Sequence, residues 1–141
     1  MSAAYFVDTN ILLWAVGSNA GDATKTTAAR QVLARADIGI SVQVLQEFYV
    51  QATRVRPQAL SHDDAVAFVE VWLTMPLQPN DERTLRDALR IKAECHISFW
   101  DAAIIAAARA LGCHTLITED LNDGQDYAGI RVHNPFRRAV A

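Results

Sequence analysis

Short apolar runs alternate with longer stretches of helical periodicity along almost the whole chain, and no other feature of the sequence limits the fold so tightly. Ala4-Tyr5-Phe6-Val7-Asp8 reads as a short buried strand ending abruptly at Asp8-Thr9-Asn10, with a helical turn through Ile11, Leu12, Leu13 and Trp14. Residues 17–22 read as a loop and residues 23–36 as a helix. Ile38-Gly39-Ile40-Ser41 is a second strand, running into a helix with Val44, Leu45, Phe48, Tyr49 and Ala52 at helical spacing. Arg56-Pro57 breaks that helix. Ser61 starts another, with Ala65, Phe68, Val69, Trp72 and Leu73 as its apolar stripe. A weak third strand is expected within residues 75–79, and helices over 81–94 and 99–111, the latter stopped by Gly112. Strands at 114–118 and 129–132 complete the pattern before Asn134-Pro135.

Strands alternating with helices specify an α/β domain, a three-layer α/β/α sandwich whose short, mainly parallel sheet is covered on both faces. The 141 residues contain no repeat, low-complexity tract or Pro/Gly linker, so residues 1–141 are expected to form one domain. With 51% hydrophobic residues there is ample material for a core, and a chain of this length buries roughly 68% of the surface it exposes when unfolded. Cys95 and Cys113 are too few for a disulfide framework. The first residues offer no signal-peptide pattern, and no apolar run approaches the ~18 residues that span a bilayer. A cytoplasmic protein without membrane contact is the expectation.

The net charge is −3, whereas proteins that hold nucleic acid usually carry a basic surplus. Any nucleic-acid contact therefore needs a local basic patch. The acidic surplus also suits a chain that gathers carboxylates around a metal. In an open parallel sheet, ligands bind beyond the carboxyl ends of the strands, near the point where strand order reverses. Asp8 closes the first strand, and Asp120 lies two residues beyond Thr118, the end of the strand at 114–118. Crossover helices begin on that same edge: Glu47 is in the early turns of the helix after the second strand, and Asp101 in the first turn of the helix from Phe99. All four acids are thus expected at one rim. Clustered carboxylates repel, and a hard, hydrated cation such as Mg²⁺ removes the conflict. Its bound waters provide a hydroxide nucleophile, and its charge stabilises a phosphate.

At these residues the chain resembles the PIN-domain ribonucleases, and within them the VapC-type toxins. The matching stretches are Phe6-Val7-Asp8-Thr9-Asn10, Val44-Leu45-Gln46-Glu47-Phe48, Ser98-Phe99-Trp100-Asp101-Ala102-Ala103-Ile104 and Leu116-Ile117-Thr118-Glu119-Asp120, in the family's order. The resemblance implies a PIN-like sandwich and Mg²⁺- or Mn²⁺-dependent endonucleolytic cleavage of RNA to a 5′-phosphate and a 3′-hydroxyl. It also implies a homodimer, often neutralised by a small antitoxin protein. Asp8, Glu47 and Asp101 carry over as catalytic metal ligands; Asp120 matches the fourth acid, with Asp123 as an auxiliary. Thr9, Asn10 and Ser98 would orient carboxylates or waters.

Each residue also has a simpler reading. Asp8 could accept backbone bonds from its turn, Asp101 stands three after Ser98 as in a capping box, and an arginine could partner Glu47. Ser61-His62-Asp63-Asp64 repeats the Ser98 pattern where only a cap is expected. The adjacent pairs Cys95-His96 and Cys113-His114 fit zinc spacing poorly, and packing is expected instead. Arg83, Arg86 and Arg90 fall at i, i+3 and i+7 on one helix face; they and Arg137-Arg138 are RNA-phosphate candidates or solvated surface. Trp14, Trp72 and Trp100 are expected in the core or a dimer interface rather than as base-stacking platforms. Two other functions compete: an aspartate-based phosphoryl-transfer protein, and a non-catalytic RNA- or protein-binding module on the same fold. Against the first, Asn10 stands where a phosphatase has a second Asp, and no lysine follows Lys92. The intact acids argue against the second.

Overall fold

The structure is a computed structural model that describes residues 2–17 and 21–137; Arg138 and the middle of the 17–22 loop lie outside the described residues. The elements in chain order are β1 (Tyr5–Val7), α1 (Thr9–Ala15), α2 (Ala23–Leu33), β2 (Ile38–Ser41), α3 (Val42–Ala52), α4 (His62–Trp72), β3 (Leu77–Gln78), α5 (Glu82–Cys95), α6 (Phe99–Ala110), β4 (Thr115–Ile117), β5 (Asp126–Tyr127) and β6 (Ile130–His133). Among the described residues the strands form one sheet in the order β3-β2-β1-β4-β6-β5. Every neighbouring pair is parallel except β5 and β6. Phe6, Val7, Ile40 and Leu116 are fully buried within it, as expected where a parallel sheet is covered on both faces and its strands read as unbroken apolar runs.

Several boundaries depart from the sequence reading for local reasons. α2 ends at Leu33 because Arg35 forks onto Asp37, with Nε–Oδ1 at 3.0 Å and NH2–Oδ2 at 3.1 Å, and lays its guanidinium over the Tyr5 ring. α3 stops before Arg56-Pro57: the Thr53 hydroxyl donates to Tyr49 O at 2.7 Å, and Leu60 N donates to Ala52 O. α4 packs mainly on α3, so of its expected apolar stripe Ala65 and Trp72 are buried whereas Phe68 and Leu73 are exposed. The β5–β6 hairpin was not anticipated. Its two-residue turn puts Ala128 and Gly129 at φ 53° and 92°, a type I′ requirement that usually announces itself as Asn-Gly or Asp-Gly. Here Asp126 accepts from Gly129 N at 2.9 Å, and Ala128 O accepts from Arg109.

Gly39 is in β2 because the chain passes too closely for a side chain. A Cβ there would lie 2.8 Å from the Ala3 methyl and 2.9 Å from Leu111 Cδ1. Gly39→Val should therefore lower unfolding stability by about 1–3 kcal/mol through overpacking, and Gly39→Ala by less. Urea denaturation midpoints check both, and a Gly39→Val protein as stable as wild type would refute the close approach.

Candidate metal centre

From β1 the chain moves outward through β2 to β3, then returns to place β4 on the other edge of β1. This reversal opens a crevice at the carboxyl ends of β1 and β4. The two strands are in register, Val7 beside Ile117, and Asp8 N donates to Ile117 O at 3.1 Å. Asp8 leaves β1 as the N-cap of α1. Its Oδ1 accepts from Thr9 N at 2.7 Å and its Oδ2 from the Thr118 hydroxyl at 2.9 Å. Only 7% of Asp8 is exposed. Burial pushes its pKa up to about 7; the Thr9 and Thr118 bonds pull it down, and the charges of Asp120 and Glu47 push it up further.

Asp120 stands at the open end of the crevice. Asn10 Nδ2 donates to Asp120 Oδ2 at 3.0 Å and to the Thr118 hydroxyl at 2.9 Å, while Asp120 N donates to the same hydroxyl at 3.1 Å. Partial burial raises the Asp120 pKa, the Asn10 bond lowers it, and Glu119 and Asp101 raise it. The neighbouring Glu119 turns away, accepting from Trp14 Nε1 and Lys25 Nζ, each at 2.9 Å.

Glu47 reaches the crevice because β2 passes without a loop into α3, which Ser41 caps by accepting from Val44 N at 3.2 Å. Its partners are the Thr9 hydroxyl at 3.0 Å and Gln43 Nε2 at 3.1 Å; no arginine takes that place among the described residues. Asp101 arrives on the first turn of α6, where its N–H donates to Ser98 Oγ at 3.1 Å. The reciprocal half of a capping box forms at α5 between Asp81 and Thr84, but not at α6. Thus Ser98 positions Asp101 through the backbone, and the Asp101 carboxylate makes no hydrogen bond or ion pair with another described residue.

Asp8, Glu47, Asp101 and Asp120 line one cavity of about 110 Å³ with Thr9, Asn10 and Trp100, large enough for several waters. No described Lys or Arg lines it. Among the described residues no three His, Cys, Asp or Glu side chains stand close enough together to hold one ion directly. The donors still suit a hard cation that keeps water in its coordination sphere: all are oxygens, and Asn10 Oδ1 is buried with no partner. Such a charge would also let the buried Asp8 ionise.

Other expected residues are not brought here. Asp123 does not line the cavity; its Oδ1 accepts from Asn134 N at 2.9 Å and its Oδ2 lies 3.9 Å from Arg137, tying down the C-terminal segment. Nor does the arginine stripe form a free cationic face. Arg86 pairs with Glu82, and Arg90 with Asp87 and Glu94, while Arg83 lines a separate hollow beside Asp81 and Asp87. Trp72 is in the core, edge-on to Phe48. Trp14 is spanned by its Glu119 bond and Lys25, and Trp100 is 64% exposed, which removes it from the core and leaves an interface position open. Cys113 packs in the core, where burial pushes its thiol up to about 11. Sequence reasoning missed Thr118, whose hydroxyl joins Asp8, Asn10 and Asp120; the only signal was a hydroxyl residue just after β4, two places before an acid.

The PIN domain family profile matches residues 5–126. Among solved structures, a toxin–antitoxin complex from Klebsiella pneumoniae is similar at 22% identity and TM-score 0.70, over 97% of this chain and 100% of that one. The DNA-bound VapBC of Salmonella typhimurium matches at 20% identity and TM-score 0.69, over 96% and 99%. VapC20 of Mycobacterium tuberculosis, a toxin that cleaves the sarcin–ricin loop, matches at 28% identity and TM-score 0.60, over 79% and 86%. No curated protein sequence matches the chain significantly.

Because the folded-state pKa of Asp8 is raised from 3.8 to about 7, its contribution to stability is full below the ordinary carboxyl value and is lost as pH rises through about 7. In chelator, the stability of wild type relative to Asp8→Asn should therefore fall between about pH 4 and pH 7 and then level off. A difference independent of pH would overturn this. Ser98→Ala should lower stability by about 1 kcal/mol by deleting a cap, whereas Asp101→Asn should leave the metal-free protein unchanged or more stable. Thermal melts in chelator distinguish the two, and equal losses would make Asp101 a capping residue only.

Proposed function

The chain belongs to the PIN domain family, and from that premise we propose that it is a metal-dependent endoribonuclease, the toxin of a toxin–antitoxin pair, with Asp8, Glu47, Asp101 and Asp120 as its metal-holding acids. One observation carries the proposal: carboxylates from four segments far apart in sequence line a single small cavity with no basic residue among the described residues lining it. When bound, Mg²⁺ or Mn²⁺ would supply a hydroxide nucleophile and stabilise charge on the phosphate. The chain's part is orientation. Thr9 and Gln43 fix Glu47, Asn10 fixes Asp120, and Thr118 locks Asp8 in the orientation set by the Thr9 N–H. Burial pushes the Asp8 pKa up to about 7, so it would hold a cation as the ionised carboxylate once it had given up its proton.

RNA as the substrate rests on the residues that resemble VapC-type toxins and on the likeness to VapC20. A small antitoxin partner rests on the likeness to a toxin–antitoxin complex and to VapBC. A homodimer and a cytoplasmic location belong to the same proposal; no described helix is long and apolar enough to cross a membrane.

Purified protein should cleave single-stranded or looped RNA with Mg²⁺ or Mn²⁺, leaving a 5′-phosphate and a 3′-hydroxyl. Calcium should bind without supporting turnover. Asp8→Asn should abolish cleavage, and Thr118→Val, which removes one orienting hydroxyl, should lower activity about 10- to 100-fold. Mg²⁺ should raise the melting temperature of wild type but not of Asp101→Asn. Undiminished cleavage in excess chelator would overturn the mechanism.

A further inference from the structure

Trp100 is 64% exposed, in contrast to Phe6 and Phe48, which are fully buried, and Trp72 at 5%. It immediately precedes Asp101 on α6 and lines two neighbouring spaces at once. One is the acid cavity; the other is a groove of about 690 Å³, a size usual for ligand sites. Phe99 fixes the indole edge-to-face at 5.2 Å between ring centres. Phe99, Leu85 and Pro79 join Trp100 on the apolar side of the groove, Gln43, Gln46 and Asn80 contribute amides, and Asp81 and Glu82 also line it. Asn80 Nδ2 donates to Gln46 Oε1 at 3.0 Å, leaving Gln46 Nε2 as a donor and Asn80 Oδ1 as an acceptor with no partner among the described residues. Gln43 also donates to Glu47, so the polar wall of the groove is joined to the acid cavity.

We propose that this groove takes an unpaired nucleobase of the RNA strand, stacked on Trp100 beside the phosphate at the acids; the proposal rests on the ribonuclease reading above. The groove is lined by Asp81 and Glu82 and by no described Lys or Arg, so it does not suit a phosphate. A flat ring with hydrogen-bonding edges matches an aromatic platform flanked by amides, the combination with which proteins read single-stranded RNA. Because Trp100 is bonded to Asp101, a base stacked there fixes the register of the strand against the acids. Trp100 then acts in substrate specificity, through the base next to the scissile bond.

The test compares wild type, Trp100→Leu and Trp100→Phe on single-stranded RNA of mixed sequence. Cleavage is followed in Mg²⁺, and equilibrium binding in Ca²⁺ by anisotropy of a dye carried on the ligand, with wild-type tryptophan fluorescence read alongside. A sugar–phosphate oligomer without bases serves as control ligand. Base-bearing RNA should quench wild-type fluorescence and the control should not. Trp100→Leu should raise Kd and KM about 5- to 150-fold, the range that one stacked base supplies, with kcat little changed. Trp100→Phe should keep most of the affinity, and all three should bind the control alike. Equal affinity of wild type and Trp100→Leu for mixed RNA, or an equal loss on the control, overturns the proposal. So does sedimentation in which Trp100→Leu dissociates a dimer while RNA affinity is unchanged, which would assign the groove to a second copy of the chain. Failure of wild type to cleave any RNA overturns the ribonuclease reading, and the binding arm still decides the groove. Cleavage by wild type with KM unchanged in Trp100→Leu overturns the groove alone.

Discussion

Burial of the Asp8 carboxylate at the end of β1 is the constraint that the rest of the site answers to. A carboxylate taken out of water needs hydrogen bonds, an opposite charge or a proton. Here two bonds are supplied, from Thr9 N and Thr118, and no described lysine or arginine lines its cavity. The shortfall appears as a pKa of about 7. The neighbours follow from it. Thr118 donates its one proton to Asp8, so its oxygen is free to accept from Asn10 and from Asp120 N, and that acceptance fixes the turn presenting Asp120. A single buried hydroxyl therefore couples β1, α1 and the loop after β4.

The crowding of acids opposes their ionisation: Asp120 and Glu47 push up the Asp8 pKa, and Glu119 and Asp101 that of Asp120. The scaffold bears this because the switch point lies over a rigid core. Phe6, Val7, Ile11, Leu12, Phe48, Ile105 and Leu116 are buried around it, and β2 runs straight into α3, leaving Glu47 little freedom. Away from the crevice the same chain neutralises its charges locally, as Arg90 does with Asp87 and Glu94. None of the four acids that line the cavity has such a partner among the described residues.

Most of the fold was legible from periodicity, since strands buried on both faces and helices buried on one leave different patterns. Ile38–Ser41, Val42–Ala52 and Phe99–Ala110 follow that rule closely. The failures are informative. Ala128 occupies a left-handed position that residue type does not announce; the tight hairpin holds it there, and Arg109 meets its carbonyl. Phe68 and Leu73 carried the periodicity of a buried face on a helix whose packing lies mainly against α3. Arg83, Arg86 and Arg90 share a face as their spacing requires, and Glu82, Asp87 and Glu94 of the same helix pair with two of them, Arg86 and Arg90.

By itself, the sequence determined the α/β alternation and placed Asp8, Glu47, Asp101 and Asp120 at strand ends and helix starts, because those positions follow from local pattern and chain direction alone. Only the tertiary structure decided how those acids are held. Thr118 is 110 residues from Asp8 and 108 from Asn10 in sequence; such a junction exists only once β4 pairs with β1 in register. The fates of Asp123 and Trp100 were likewise settled by which way their segments turned. Local pattern specifies what an element is and which end of it carries a residue. Which side chains meet across elements is set by sheet order and packing, which no single stretch of sequence contains.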